Sequence, residues 1–168
     1  MRSMFAAFLP SRLTRTTRTL PLRTSEPREQ RYWAIRGEID YWREYRDIYG
    51  EAAAADVLRR VAQALAQARH GDDRVVSRDG VQFMMIIAAP SPDWVKADAD
   101  RHRDAVESLQ IPHQGSPFGV VTISIGMATI VAGERNATAD ALAQADAALG
   151  RARRSGNQVA AASALVPA

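Results

Sequence analysis

The stretch Asp73–Ala89, DRVVSRDGVQFMMIIAA, decides the fold. Two β-rich runs, Val75–Ser77 and Val81–Ala88, flank Asp79-Gly80. An Asp-Gly between apolar runs predicts a β-hairpin, because both central residues of a type I′ turn need φ > 0. The second arm, VQFMMIIAA, is apolar on both faces rather than alternating. That pattern predicts a strand at the centre of a sheet, covered by helices on at least one face.

Outward from the hairpin the elements follow in order. Upstream, Tyr32–Ile39 is expected as the first strand, with Glu38 and Asp40 at its C-terminal end. A short helix over Tyr41–Tyr49 stops at Gly50, and a longer one over Ala52–Arg69 carries the apolar stripe Val57, Leu58, Val61, Leu65 and Ala68. Downstream, Ser91-Pro92-Asp93 supplies an N-cap, a proline at the first helical position and an acid in the first turn. The helix it starts has the core face Val95, Ala99, His102, Val106 and Leu109, on which His102 is expected as a partly buried structural residue. Val121, Ile123, Ile125 and Met127 alternate with Thr122, Ser124 and Gly126 as a half-buried strand. Thr138 is expected to cap a helix with the stripe Leu142, Ala145 and Leu149 and the basic end Arg151, Arg153 and Arg154. Gln158–Ala162 forms a last short strand. The expected fold class is α+β, a ferredoxin-like or cyclase-like sandwich with helices packed on a mostly antiparallel sheet.

The 168 residues suffice for one domain with a core plus a tail; 46% are apolar and 24% charged, as in ordinary globular proteins. Cysteine is absent, which excludes disulfides, thiolate catalysis and Cys-based zinc sites. The net charge is +3 and Lys96 is the only lysine. Arginines crowd the beginning, at 2, 12, 15, 18, 23, 28 and 31, and raise the pI to about 9.8. Residues 1–30 mix Arg, Thr, Ser and Pro without periodicity and are expected as a poorly ordered tail or linker, with the domain over 31–162 and a C-terminal tail over 163–168. Met4–Leu9, MFAAFL, is too short for a membrane span and has no signal-peptide pattern, so a soluble, cytoplasmic protein with no nucleic-acid partner is expected.

Four strings, Glu38–Ala62, Ser77–Phe83 (SRDGVQF), Val120–Thr129 and Asp146–Val159, together with the element order, resemble the GGDEF domain of the diguanylate cyclases, which condense two GTP into cyclic di-GMP. The resemblance spans roughly 35–160 and implies that family's fold. It also implies two metal ions held by carboxylates of the first strand and the hairpin. The family's first-strand acids fall at Glu38 and Asp40, a vestigial half of the metal site. Its signature falls at Asp79, Gly80, Val81, Gln82 and Phe83, where Val81 replaces the metal-ligating acid and offers no oxygen to a hard cation. Asp79 stands where a glycine lets the nucleotide phosphates approach. Guanine-contacting positions fall at Arg46 and Ala55, a Tyr at Gly150, and the phosphate-binding Lys at Arg153.

Many family members also bind their product at an inhibitory site, an R-x-x-D motif before the hairpin joined by an Arg of the next helix. Arg69-His70-Gly71-Asp72 matches that string one residue out of register, the aligned positions being His70 and Asp73, while the helix Arg falls at Arg101 with Arg103 nearby. An Arg forks over guanine O6/N7 and an Asp accepts from its N1/N2 edge, so Arg69, Asp72 or Asp73, and Arg101 are the expected cyclic di-GMP ligands. The resemblance therefore implies a catalytically inactive GGDEF-like receptor of cyclic di-GMP, without a cofactor. The alternatives are a nucleotide-independent scaffold for a protein partner, a homodimer among them, and a residual cyclase using GTP and magnesium.

Overall fold

The computed structural model describes residues 31–69, the backbone of 74–77, and 79–163. Strand β1 (Arg31–Ile39) leads into α1 (Trp42–Ala68), followed by the hairpin β2 (Arg74–Ser77) and β3 (Gln82–Ala89). Helix α2 (Pro92–Glu107), strand β4 (Ile123–Ile130), helix α3 (Ala137–Ser155) and strand β5 (Val159–Ala161) complete the order. The sheet runs β2-β3-β1-β4-β5, antiparallel except for β4 with β5. This is the expected α+β sandwich, but its central strand is β1, with β3 beside it. Only β1 pairs over its length with both β3 and β4.

One face of the sheet presents Trp33, Ile35 and Ile39 of β1, Phe83, Met85 and Ile87 of β3, and Ile123, Ile125 and Met127 of β4, and it packs with α1 and α2 in one buried core. The alternation of β3, buried at every second residue and half-buried between, follows from its period of two. On the other face small residues let α3 approach closely: Ala34 and Ala128 meet Ala141 and Ala145. A Cβ on Gly37 would lie 1.9 Å from the Phe83 ring, so that glycine is the seat on which the buried Phe83 rests.

Helix α1 is continuous in hydrogen bonding but breaks at Gly50 (φ 79°, ψ 174°), the position expected to separate two helices. Helix α2 begins as expected, with Ser91 Oγ accepting from Trp94 N at 3.3 Å. Ser91→Ala should lower stability by about 1 kcal/mol, read from the midpoint of urea unfolding.

Two local expectations are corrected. Ser77 pairs with Phe83, so the two arms are joined by more than the two central residues of a type I′ turn. Gly80 takes φ 82°, and Asp79 Oδ1 accepts from the amides of Val81 (3.0 Å) and Gln82 (2.9 Å), closing an Asx-type turn within the connection. At the start of α3 the capping position is Asn136, in the left-handed region (φ 68°) with no side-chain cap bond, and Thr138 lies inside the helix.

Candidate functional site

Strand β1 ends at the rim of the sheet between the start of β3 and that of β4. The ladder continues past the strands, with Ile39 N donating to Val81 O (3.1 Å) and Asp40 N to Thr122 O (3.0 Å). This fixes Val81 beside Glu38 and Asp40, facing the first turn of α1. The resulting cleft of about 580 Å³ is lined by Glu38, Asp40, Trp42, Arg43, Val81 and Arg153 among others. A second cleft of about 380 Å³ adjoins it, lined by Arg46, Ala55, Leu58 and Asp79 together with Trp42 and Val81.

The carboxylates of this rim are already engaged. Asp40 is buried, its Oδ1 accepting from Ser124 Oγ at 2.7 Å and its Oδ2 from Thr122 Oγ1 and Asn157 N, both at 2.8 Å. Asp40, expected with Glu38 as a vestigial half of a metal site, ties together β1, β4 and the turn after α3. Glu38 Oε2 accepts from Gln82 Nε2 at 3.0 Å, and its Oε1 lies 3.0 Å from Arg153 Nη2. Val81 contributes no oxygen from its side chain, and Asp79 closes its own turn. Among the described residues no three His, Asp or Glu side chains gather where they would hold a metal ion. The donor set therefore does not fit the two-metal arrangement that the family resemblance implies. The adjoining cleft has likewise changed in character: Arg46 pairs with Glu51 at 3.2 Å, and Ala55 offers no side-chain polar atom.

The other expected site lies where α1 ends against α2. Arg69 is exposed and its Nε donates to Ala66 O at 3.1 Å. Arg101 Nε donates to Ala68 O at 3.0 Å, and its guanidinium pairs with the buried Asp98. Arg101 is thus held next to Arg69 by the carbonyl that precedes it in the chain. Its side chain is 37% exposed, beside a groove of about 420 Å³ lined by Arg60, Gln63, Gln67, Ala68, Arg101 and Leu109.

Arg103 does not join them. It pairs with Glu107 (3.0 Å) and Asp104 and donates to Asn157 Oδ1 (2.9 Å), which directs it toward the end of α3. His70, Asp72 and Asp73 lie outside the described residues. His102 is fully buried, with Nδ1 2.8 Å from the Asp98 carbonyl, so it is a core histidine as expected.

Two participants and one pairing escaped the sequence reading. His113 is fully buried; its Nε2 lies 3.0 Å from Tyr41 O and its Nδ1 accepts from Gly115 N, which fixes the left-handed turn (Tyr41, φ 53°) leading into α1. Arg60 lines the α1–α2 groove and bonds Leu109 O at 3.5 Å; its i, i+3, i+7 spacing with Gln63 and Gln67 is the signal that marks that polar face. The pairing of Arg153 with Glu38 has no local signal.

The family model described as diguanylate cyclase, GGDEF domain, matches residues 9–159. The response regulator PleD of Caulobacter vibrioides is 32% identical over 127 residues, 71% of this chain and 26% of that protein. Diguanylate cyclase A of Treponema denticola is 32% identical over 92 residues, 55% of this chain and 24% of that protein. The chain thus spans about a quarter of the length of these curated relatives.

Among solved structures, the GGDEF domain of DgcB from Caulobacter crescentus in complex with c-di-GMP superposes with a TM-score of 0.69 at 25% identity, over 79% of this chain and 78% of that one. The active GGEEF domain of a diguanylate cyclase from Vibrio cholerae gives 0.69 at 18% identity, over 79% and 83%, a likeness of fold. No helix among the described residues is long and apolar enough to cross a membrane. Element order, the rim built on β1 and β3, and a family match covering most of the chain agree: this chain belongs to the GGDEF-domain family of diguanylate cyclases.

Proposed function

We propose that this GGDEF domain is catalytically silent and serves as a receptor for cyclic di-GMP in bacterial second-messenger signalling. The observation that carries the reading is an asymmetry between two sites. At the rim, Glu38 is engaged by Gln82 and Arg153, and Val81 stands where a carboxylate would hold metal. At the end of α1, Arg101 is anchored to the Ala68 carbonyl that precedes Arg69, with its side chain partly open to solvent. The likeness to a GGDEF domain solved with c-di-GMP supports the same direction.

In this reading Arg69 and Arg101 present their forks to guanine O6 and N7, and Asp72 or Asp73 accepts from the N1/N2 edge. Arg103 is left out, since its donors face Glu107, Asp104 and Asn157. No magnesium is needed for a ligand whose phosphates stay bonded.

The test is a calorimetric titration of Arg69→Ala and Arg101→Ala with cyclic di-GMP. A bidentate Arg–guanine contact is worth about 1–3 kcal/mol, so each variant should bind about 10- to 100-fold more weakly than the parent. Melting temperatures should stay close to that of the parent, at least for the exposed Arg69. Unchanged affinity in both variants would remove the assignment. Formation of cyclic di-GMP from GTP and magnesium by the parent protein would remove the catalytic silence.

A further inference from the structure

We infer that Arg153 acts as a built-in cation in front of Glu38, taking the place of a divalent metal and excluding it. Arg153 reaches from the last turn of α3 to within 3.0 Å of Glu38 Oε1, and the Glu38 side chain is only 12% exposed. A carboxylate so withdrawn from water needs a compensating charge or several donors. Here it has one of each, the guanidinium on one oxygen and the Gln82 amide on the other.

Three positions on three elements are mutually consistent. An acid at 81 or 82 would add a second negative charge that a single guanidinium cannot balance. Val81 and Gln82 supply none, so the Glu38 carboxylate is matched by the Arg153 guanidinium. Glu38 on β1, Gln82 on β3 and Arg153 on α3 therefore form a neutral clamp across the rim. The loss of the metal-binding acid at Val81 is then only half of the change, and restoring an acid alone leaves the metal's place filled.

This inference goes beyond the receptor reading, which rests on the Arg69–Arg101 corner, and it concerns metal binding in the absence of any nucleotide. It is tested by titrating Mn²⁺ into the parent, Val81→Glu, and Val81→Glu/Arg153→Ala, with free Mn²⁺ followed by electron paramagnetic resonance. A parallel set, Gln82→Glu and Gln82→Glu/Arg153→Ala, places the new carboxylate directly against Glu38. It keeps the question open to an answer should the Val81 variants fail to fold.

The expected result is no binding by the parent, and binding by each double variant at least tenfold tighter than by its single counterpart. Val81→Glu/Arg153→Lys, which keeps a cation, should behave like Val81→Glu alone. Mn²⁺ binding by the parent would overturn the inference. So would equal binding by single and double variants in the set that folds, or no binding by its double variant. Cyclic di-GMP affinity, measured on the same proteins, should be that of the parent throughout, so a failure here is distinguishable from a failure of the receptor reading.

Discussion

Asp40→Ala is expected to destabilise the domain by about 3–5 kcal/mol, lowering the urea midpoint without changing the slope. The carboxylate is 4% exposed and accepts from Thr122, Ser124 and the Asn157 amide, which lie on β4 and on the turn after α3. Removing it strands three donors, two of them on the fully buried Thr122 and Ser124. The hydroxyls of Thr122 and Ser124 can rotate toward other acceptors, but the Asn157 amide is fixed by a backbone at φ 50° and has no such freedom. Asp40→Asn should cost less, about 1–3 kcal/mol, because one acceptor oxygen remains while the new amide group faces a donor. If Asp40 were a metal ligand awaiting its ion, relieving its charge would leave stability within about 0.5 kcal/mol of the parent or improve it.

Gly126→Ala is expected to be at least as damaging, with a loss of about 3 kcal/mol or more and a broadened thermal transition. A Cβ at this position would lie 2.1 Å from the Ala145 carbonyl oxygen and 2.3 Å from the Leu149 amide nitrogen. Both are backbone atoms of α3, so no side-chain rotation relieves the clash and the whole helix has to lift from β4. The seam it would open is the small-residue contact of Ala34 and Ala128 with Ala141 and Ala145. Gly150, on the same helix, is the internal control. Nothing lies within 4 Å of a Cβ built there, and Gly150→Ala should stabilise by up to about 1 kcal/mol through helix propensity alone. Opposite signs for two glycine-to-alanine changes, one against a helix backbone and one facing solvent, would establish how closely α3 is seated.

The elements legible in the sequence are those whose signals are local. The strand run of β3, the Ser91-Pro92-Asp93 start of α2 and the Gly50 break all appear in the fold where the chain pattern puts them; the alternating burial of β3, whose run is apolar on both faces, does not show in the sequence. The start of α3 was not legible because Asn136 enters it through a left-handed backbone without a side-chain cap, whereas Thr138 merely has the composition of one. The turn at Asp79-Gly80 has the residues of a tight hairpin, yet the last paired residues are Ser77 and Phe83, and the Asp79 carboxylate accepts from the two amides ahead of it within the longer connection.

At the candidate site the limits are those of long-range pairing. Resemblance located Glu38, Val81 and Arg153 one by one. That Glu38 meets Arg153, or that Asp40 meets Thr122, Ser124 and Asn157, is decided by β1 lying between β3 and β4 and by α3 crossing the sheet. The exclusion of Arg103, by contrast, was available from helix geometry. Residues two apart on a helix point about 200° from each other, so Arg101 and Arg103 cannot both face the end of α1.

A receptor and a cyclase differ in which of two nucleotides they take, and a calorimetric titration of the unmodified protein with cyclic di-GMP, repeated with GTP and magnesium, distinguishes them directly. The account predicts micromolar or tighter binding of cyclic di-GMP, and no heat and no product with GTP. Silence toward cyclic di-GMP, or turnover of GTP, would contradict it.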